Sequence, residues 1–212
     1  MIRFISLDMD GTLVNSRFVD KVWMEAIPRL YAERTGMDFS AAKEFVIGEY
    51  MLIGSERLEW YDLLYWIEKF QLDITRDELL ETFEDEIEPY PEVQEALDLL
   101  SEHYELIVTS NAAREFIEIE LDGLSGYFRE TFSATSDFQE VKKSPLLYGA
   151  ICSHLGVRPI EVLHIGDHYS YDYESPMQAG LDALFLDRAG KRSGREVVGD
   201  LLEAAQIICG GV

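Results

Sequence analysis

Apolar residues along this chain change their spacing twice, and the changes mark its organisation. Residues 2–7 (IRFISL) form a short apolar run that stops at Asp8, the pattern of a buried strand opening into a loop. From about residue 20 to 86 no convincing strand occurs. Apolar side chains there recur every three or four positions over 20–34, 40–50, 56–70 and 75–86, which predicts a block of amphipathic helices. Thr75 and Glu78 are spaced as a capping box for the last of them, and Ser40 and Ser55 are placed to cap two others.

Beyond Pro89 and Pro91 the texture alternates. Helices are expected at 91–103, 112–121, 145–155, near 174–179 and at about 195–204. Between them lie strand-like runs at 105–109 (ELIVT), near 130–134, at 161–166 (EVLHIG) and at 182–187 (DALFLD), with a possible strand at 205–209. Strands separated by helices of this length imply right-handed crossovers and a mostly parallel sheet covered on both faces. The expected fold class is therefore α/β: a Rossmann-like parallel sheet core from residues 1–15 and 89–212, with a second, all-α domain inserted over 16–88.

Composition narrows the functional classes. The 212 residues carry 41 acidic against 18 basic side chains, a net charge of −23, while 47 % are hydrophobic. The apolar content is enough for a sizeable core, so the acidity does not signal disorder. A nucleic-acid partner is excluded, because a phosphate backbone needs a concentrated cationic face. No leader pattern and no apolar stretch of roughly 20 residues is present, so a cytoplasmic protein without a membrane partner is expected. Cys152 and Cys209 form no CxxC pair and read as ordinary thiols.

In open α/β sheets ligands bind beyond the carboxyl ends of the strands. Those ends carry Asp8 and Asp10 after the first strand, Thr109, Ser110 and Asn111 after the second, and Asp167 after 161–166, with Lys142 and Lys143 in a loop before a helix. Carboxylates brought this close repel one another unless a cation joins them. Oxygen donors without nearby His or Cys suit a hard ion such as Mg²⁺, bound through carboxylates and a substrate phosphate. A hydroxyl and an ammonium opposite would cradle phosphoryl oxygens.

The run Asp8-Met9-Asp10-Gly11-Thr12 resembles the DxDGT signature of the haloacid dehalogenase-like superfamily. Three further motifs follow in order: Thr109 ending ELIVT, Lys142 in KKSP, and Asp167 with Asp172 in IGDHYSYD. The helical block sits where that superfamily carries type 1 caps. The resemblance implies a phosphatase in which Asp8 is the nucleophile, forming an aspartyl-phosphate, and Asp10 the general acid and base. It also implies that Thr109 and Ser110, with Asn111 beside them, bind the phosphoryl group, and that Lys142 ties it to the nucleophile. Asp8, the Asp10 carbonyl and Asp167 would hold Mg²⁺, with Asp172 behind them.

Two departures accompany the match. Lys143 stands where relatives commonly have proline, and Lys142 is favoured as the motif lysine by its spacing to Pro145. His168 and Tyr169 follow Asp167 where small residues are common, and a surface role is expected for the histidine. Dehalogenation is disfavoured because dehalogenases usually lack an acid at the position of Asp10. A phosphomutase using the same residues remains an alternative, as does, outside enzymes, a Mg²⁺-binding receiver that only accepts phosphate. The expected partner is a small phosphorylated metabolite. Trp23, Trp60, Tyr61, Tyr65 and Trp66 read as core of the insert, the basic run 188–195 as a solvated loop, and His103, His154 and His164 carry no assigned role.

Overall fold

The computed structural model describes residues 1–210. Six strands, β1 (Phe4–Leu7), β2 (Glu105–Ser110), β3 (Phe128–Ser133), β4 (Val162–Gly166), β5 (Asp182–Leu186) and β6 (Val197–Val198), form one sheet in the order β3-β2-β1-β4-β5-β6. All five pairings are parallel. The chain builds outward from β1 to β3, then returns to place β4 on the other side of β1. That reversal is the topological switch at which such sheets bind ligands.

Strand alternation supplies two apolar faces. Ile5, Leu7, Val108 and Ile165 pack with α6 (Val93–Ser101), α7 (Arg114–Glu120) and α11 (Leu201–Gly210) through Leu97, Leu100, Ile117, Ala204 and Ala205. Phe4, Ile107 and Val162 point the other way, onto Leu147, Tyr148 and Ile151 of α9 (Pro145–Leu155), beside which α10 (Ser175–Ala179) lies. Two covered faces explain why the strands read as continuous apolar runs.

The helical insertion follows β1. It comprises α1 (Arg17–Lys21), a π-helical turn over Val22–Ala26, α2 (Ile27–Thr35), α3 (Phe39–Ile53), α4 (Leu63–Lys69) and α5 (Arg76–Glu81). Its entry and exit run side by side, since Val14 bridges both Asp10 and Pro89. Phe18, Val46, Tyr50, Trp66 and Leu79 form its core, which also takes in Ala113 and Phe116 from the segment after β2. The Phe116 ring meets Phe18 edge-on at 5.9 Å and stacks on Trp23 at 5.8 Å.

Local chemistry corrects several expected boundaries. Thr75 and Glu78 do form the capping box of α5, but α3 and α4 are capped by Asp38 and Asp62 rather than Ser40 and Ser55. The helix expected over 56–70 is interrupted, with a short 3₁₀ turn at Leu58–Trp60 before Asp62 starts α4. At the end of the chain the order is reversed: β6 comes first, and α11 occupies the positions read as a strand. Asp200 accepts the Glu203 N–H at 2.8 Å and so nucleates α11. Among the described residues no helix is long and apolar enough to cross a membrane.

Candidate functional site

The first strand ends in a tight turn. The Met9 carbonyl accepts the N–H groups of Thr12, Leu13 and Val14, and Gly11 takes φ +77°, a conformation that favours glycine. A Cβ on Gly11 would lie 2.1 Å from Asp167 Oδ2, and one on Gly166 would lie 2.5 Å from Asp172 Cγ. Bare backbone is therefore what lets these carboxylates come in. The turn is held from outside by Arg188, which donates to the carbonyls of Gly11 (3.0 Å) and Thr12 (2.8 Å), pairs with Glu92 at 2.6 Å and stacks on Tyr90 at 3.5 Å. Arg188 is thus a structural clamp, not part of a freely solvated basic loop.

Asp8, Asp167 and Asp172 each offer an oxygen within 4.8 Å of the others. The lysine that joins them is Lys143. Its Nζ lies 2.6 Å from Asp8 Oδ1, 2.5 Å from Asp172 Oδ1 and 3.3 Å from the Thr109 carbonyl, with 1 % of the side chain exposed. Lys142, favoured from its spacing, points away and pairs with exposed Glu56 of the insertion at 2.6 Å. The reason is local: Asn111 Oδ1 accepts the Lys143 N–H at 2.8 Å, and Ser144 then caps α9, turning residue 143 toward the strand ends.

Thr109 also departs from expectation. It has no exposed surface, and its hydroxyl lies 2.9 Å from Ser6 Oγ inside the sheet, so it offers nothing to a ligand at the strand ends. Ser110, one residue on, is nearly buried and its Oγ accepts the Ala112 N–H. Asn111 is half-buried and faces the cleft between sheet and insertion. His168 is exposed and stacks on Tyr171.

The electrostatics follow from burial and crowding. Burial pushes Asp8 well above the ordinary carboxylate range, with Asp172 and Asp167 adding to the rise and Lys143 opposing it. Burial and then Asp167 push Asp10 up to about 7, and Asp10 Oδ1 has no partner among the described residues. Burial and Asp172 raise Asp167. Asp172 goes the other way: burial would raise it, but the Lys143 ammonium and the His164 ring hold it below the usual range. One ammonium among four carboxylates leaves the cluster short of positive charge. An all-oxygen donor set with an orphaned oxygen fits a hard divalent cation.

Two buried groups carried no sequence signal. His164 Nε2 lies 3.2 Å from Asp172 Oδ1 and its Nδ1 lies 2.8 Å from Ser6 Oγ, so the ring braces Asp172 from beneath. Its place within an apolar strand is the one clue that EVLHIG offered. Glu120, on α7, is fully buried, and neither carboxylate oxygen has a partner among the described residues. Burial, then Asp10 and Asp8, push its carboxyl well above the ordinary range.

Between sheet and insertion lies a cavity of about 290 Å³ beginning at Asp10 and lined by Trp23, Tyr50, Trp60, Tyr61 and Phe116 among others. Of Trp23, Trp60, Tyr61, Tyr65 and Trp66, the aromatics expected as core, Trp66 alone is fully buried. A second cavity of about 310 Å³ opens on the far side of Asp167, against Lys191 and Arg192.

Comparison with known proteins accords with this arrangement. The chain is 25 % identical over 167 residues to the GMP/IMP nucleotidase YrfG of Escherichia coli, covering 77 % of this chain and 73 % of that protein. Its fold is similar to the HAD phosphatase of Thermococcus onnurineus, with TM-score 0.83, 23 % identity and 99 % of each chain covered. It is also similar to a 2-haloacid dehalogenase of Pseudomonas syringae pv. Tomato DC3000, with TM-score 0.69, 21 % identity and 100 % of each chain covered. The family model of the haloacid dehalogenase-like hydrolases matches residues 2–180, from β1 through the last aspartate of the cluster; the chain belongs to that family and is a hydrolase.

Proposed function

We propose that this hydrolase cleaves a small phosphomonoester with Mg²⁺, through an aspartyl-phosphate on Asp8. The observation that carries the reading is Asp10, a half-buried second carboxyl beside the strand-end carboxylates whose Oδ1 has no partner among the described residues and which burial and Asp167 push up to about 7. An alcohol leaves poorly as an alkoxide and needs a proton, and an acid with a pKa near the working pH supplies it best. Attack on the carbon of a haloacid expels halide and needs no such acid. The nucleotidase relative supports phosphate-ester chemistry, and a cap role for the insertion accords with its cleft facing Asp10.

Lys143 holds Asp8 Oδ1, which leaves the other oxygen to attack phosphorus. As the phosphorus–oxygen bond to the alcohol breaks, Asp10 passes its proton to the departing oxygen. The resulting Asp10 carboxylate then takes a proton from water, whose oxygen attacks the phosphoryl-aspartate and regenerates Asp8. Asn111, its Oδ1 engaged by Lys143, retains an amide N–H₂ for a phosphoryl oxygen. Asp8, Asp167 and the Asp10 carbonyl would hold Mg²⁺, with Asp172 set behind them, and the ion would neutralise charge gathering on the transferring group.

Phosphate release from 4-nitrophenyl phosphate and from an alkyl phosphate tests this reading. Asp8→Asn should abolish both activities in Mg²⁺, and Asp10→Asn should damage the alkyl ester far more. An Asp8→Asn protein that turns over at the wild-type rate would remove the nucleophile.

A further inference from the structure

The cleft beside Asp10 has an uneven chemistry. Its walls are apolar and aromatic, its polar groups are Asp10, Asp20 and Asn111, and among the described residues no lysine or arginine lines it. The tyrosine hydroxyls are already spent: Tyr50 donates to the Trp23 carbonyl at 3.2 Å and Tyr61 to the Ser55 carbonyl at 3.2 Å. Nearby ammonium groups are committed too, Lys143 to Asp8 and Asp172, Lys142 to Glu56 and Lys21 to Glu25.

Trp23 reaches the cleft from the π-helical turn at Val22–Ala26, a distortion that often marks a working site. It stacks on Phe116 with 18° between the planes, and Tyr50 meets it edge-on at 5.8 Å. Such walls suit a flat ring, which stacks well and requires no charge to hold it. Asp20 stands exposed at the rim, tethered by the Ser16 hydroxyl at 3.2 Å. With no lysine or arginine among the described residues lining the cleft, this carboxylate makes it hostile to a second anion and receptive to hydrogen-bond donors.

We propose that the cleft takes the uncharged ring of the leaving alcohol, as in a nucleoside monophosphate, and rejects alcohols that bear a second anionic group, with Trp23 as the stacking wall and Asp20 as the rim charge. The assignment rests on the phosphomonoester reading above, and it is separable from it because the ring should bind without any chemistry. An anionic leaving group such as glycolate would meet the Asp20 carboxylate and, among the described residues, no cation along the cleft. Specificity here is set by exclusion as much as by attraction.

Two measurements test the proposal. In calorimetry on the intact protein, guanosine, which carries no phosphate, should bind, and Trp23→Leu should weaken it at least about tenfold. In steady-state assays with Mg²⁺, a nucleoside 5′-monophosphate should exceed phosphoglycolate in kcat/KM by about a hundredfold or more, and Asp20→Arg, an exposed change, should narrow that gap at least about tenfold. Absence of guanosine binding, or phosphoglycolate turned over within about tenfold of the nucleotide by the wild type, overturns the assignment. Guanosine binding that depends on Trp23 in a protein that hydrolyses no ester would keep the pocket and dismiss the hydrolytic reading instead.

Discussion

Lys143 and Asp172 face each other at 2.5 Å with 1 % and 0 % of their side chains exposed, and the same ammonium holds Asp8 at 2.6 Å. A buried charge deprived of its partner cannot be rehydrated, so removing one member of such a set typically costs about 3–5 kcal/mol. Lys143→Met should therefore both abolish phosphate release and lower the unfolding free energy, obtained from urea titration, by an amount in that range. Lys142→Ala, cutting only the exposed contact to Glu56, should leave both nearly unchanged. Equal losses from the two substitutions would contradict the placement of Lys143.

Asp10 gives a pH prediction whose sign is fixed by its environment. Burial and Asp167 push its carboxyl up to about 7, so the acid form is present below that pH and lost above it. Hydrolysis of an alkyl phosphate should fall as pH rises through this region, whereas 4-nitrophenyl phosphate, which leaves without a proton, should respond less. Identical profiles for the two esters, measured at saturating Mg²⁺, would deny Asp10 the role of acid.

Glu120 should show itself in stability rather than in turnover. In the folded chain its carboxyl is pushed well above 4.5, chiefly by burial, so the native state keeps a proton that the unfolded chain releases once pH passes 4.5. Stability from this group is complete below that pH and declines as pH rises toward the raised value. Glu120→Gln removes the titration, so its melting temperature should fall less than that of the wild type between pH 5 and 8. Parallel melting curves would show that Glu120 ionises normally.

The site was legible in the sequence in proportion to how local its determinants are. Asp8, Asp10, Gly11 and Asp167 stand at strand ends that their own apolar runs announce. Lys143 and Thr109 depend on distant partners: the first is turned inward by Asn111, and the second is drawn into the sheet by Ser6 on a neighbouring strand. Neither register can be seen along a single chain. The reversal at the end has a similar origin, since Ile207 and Ile208 suggest a strand until the Asp200 cap is known.

Cation binding should stabilise the fold. Four carboxylates share one ammonium at the strand ends, and a ligand at ten times its Kd adds about 1.4 kcal/mol to a folded state that alone binds it. Titrating Mg²⁺ into chelator-treated protein should raise the melting temperature in the wild type, and Asp167→Asn should largely remove the rise. A rise undiminished in Asp167→Asn would locate the ion elsewhere.

Phe116 belongs by sequence to α7, which packs on the sheet, and by packing to the insertion, where it meets Phe18 and Trp23. A wide swing of the insertion away from the sheet would strip water-avoiding cover from that ring and from Ala113 together. The insertion is consequently seated on the sheet through this shared apolar packing, whereas the turn around Glu56 to Tyr61 meets the core at its rim through the exposed Lys142 contact.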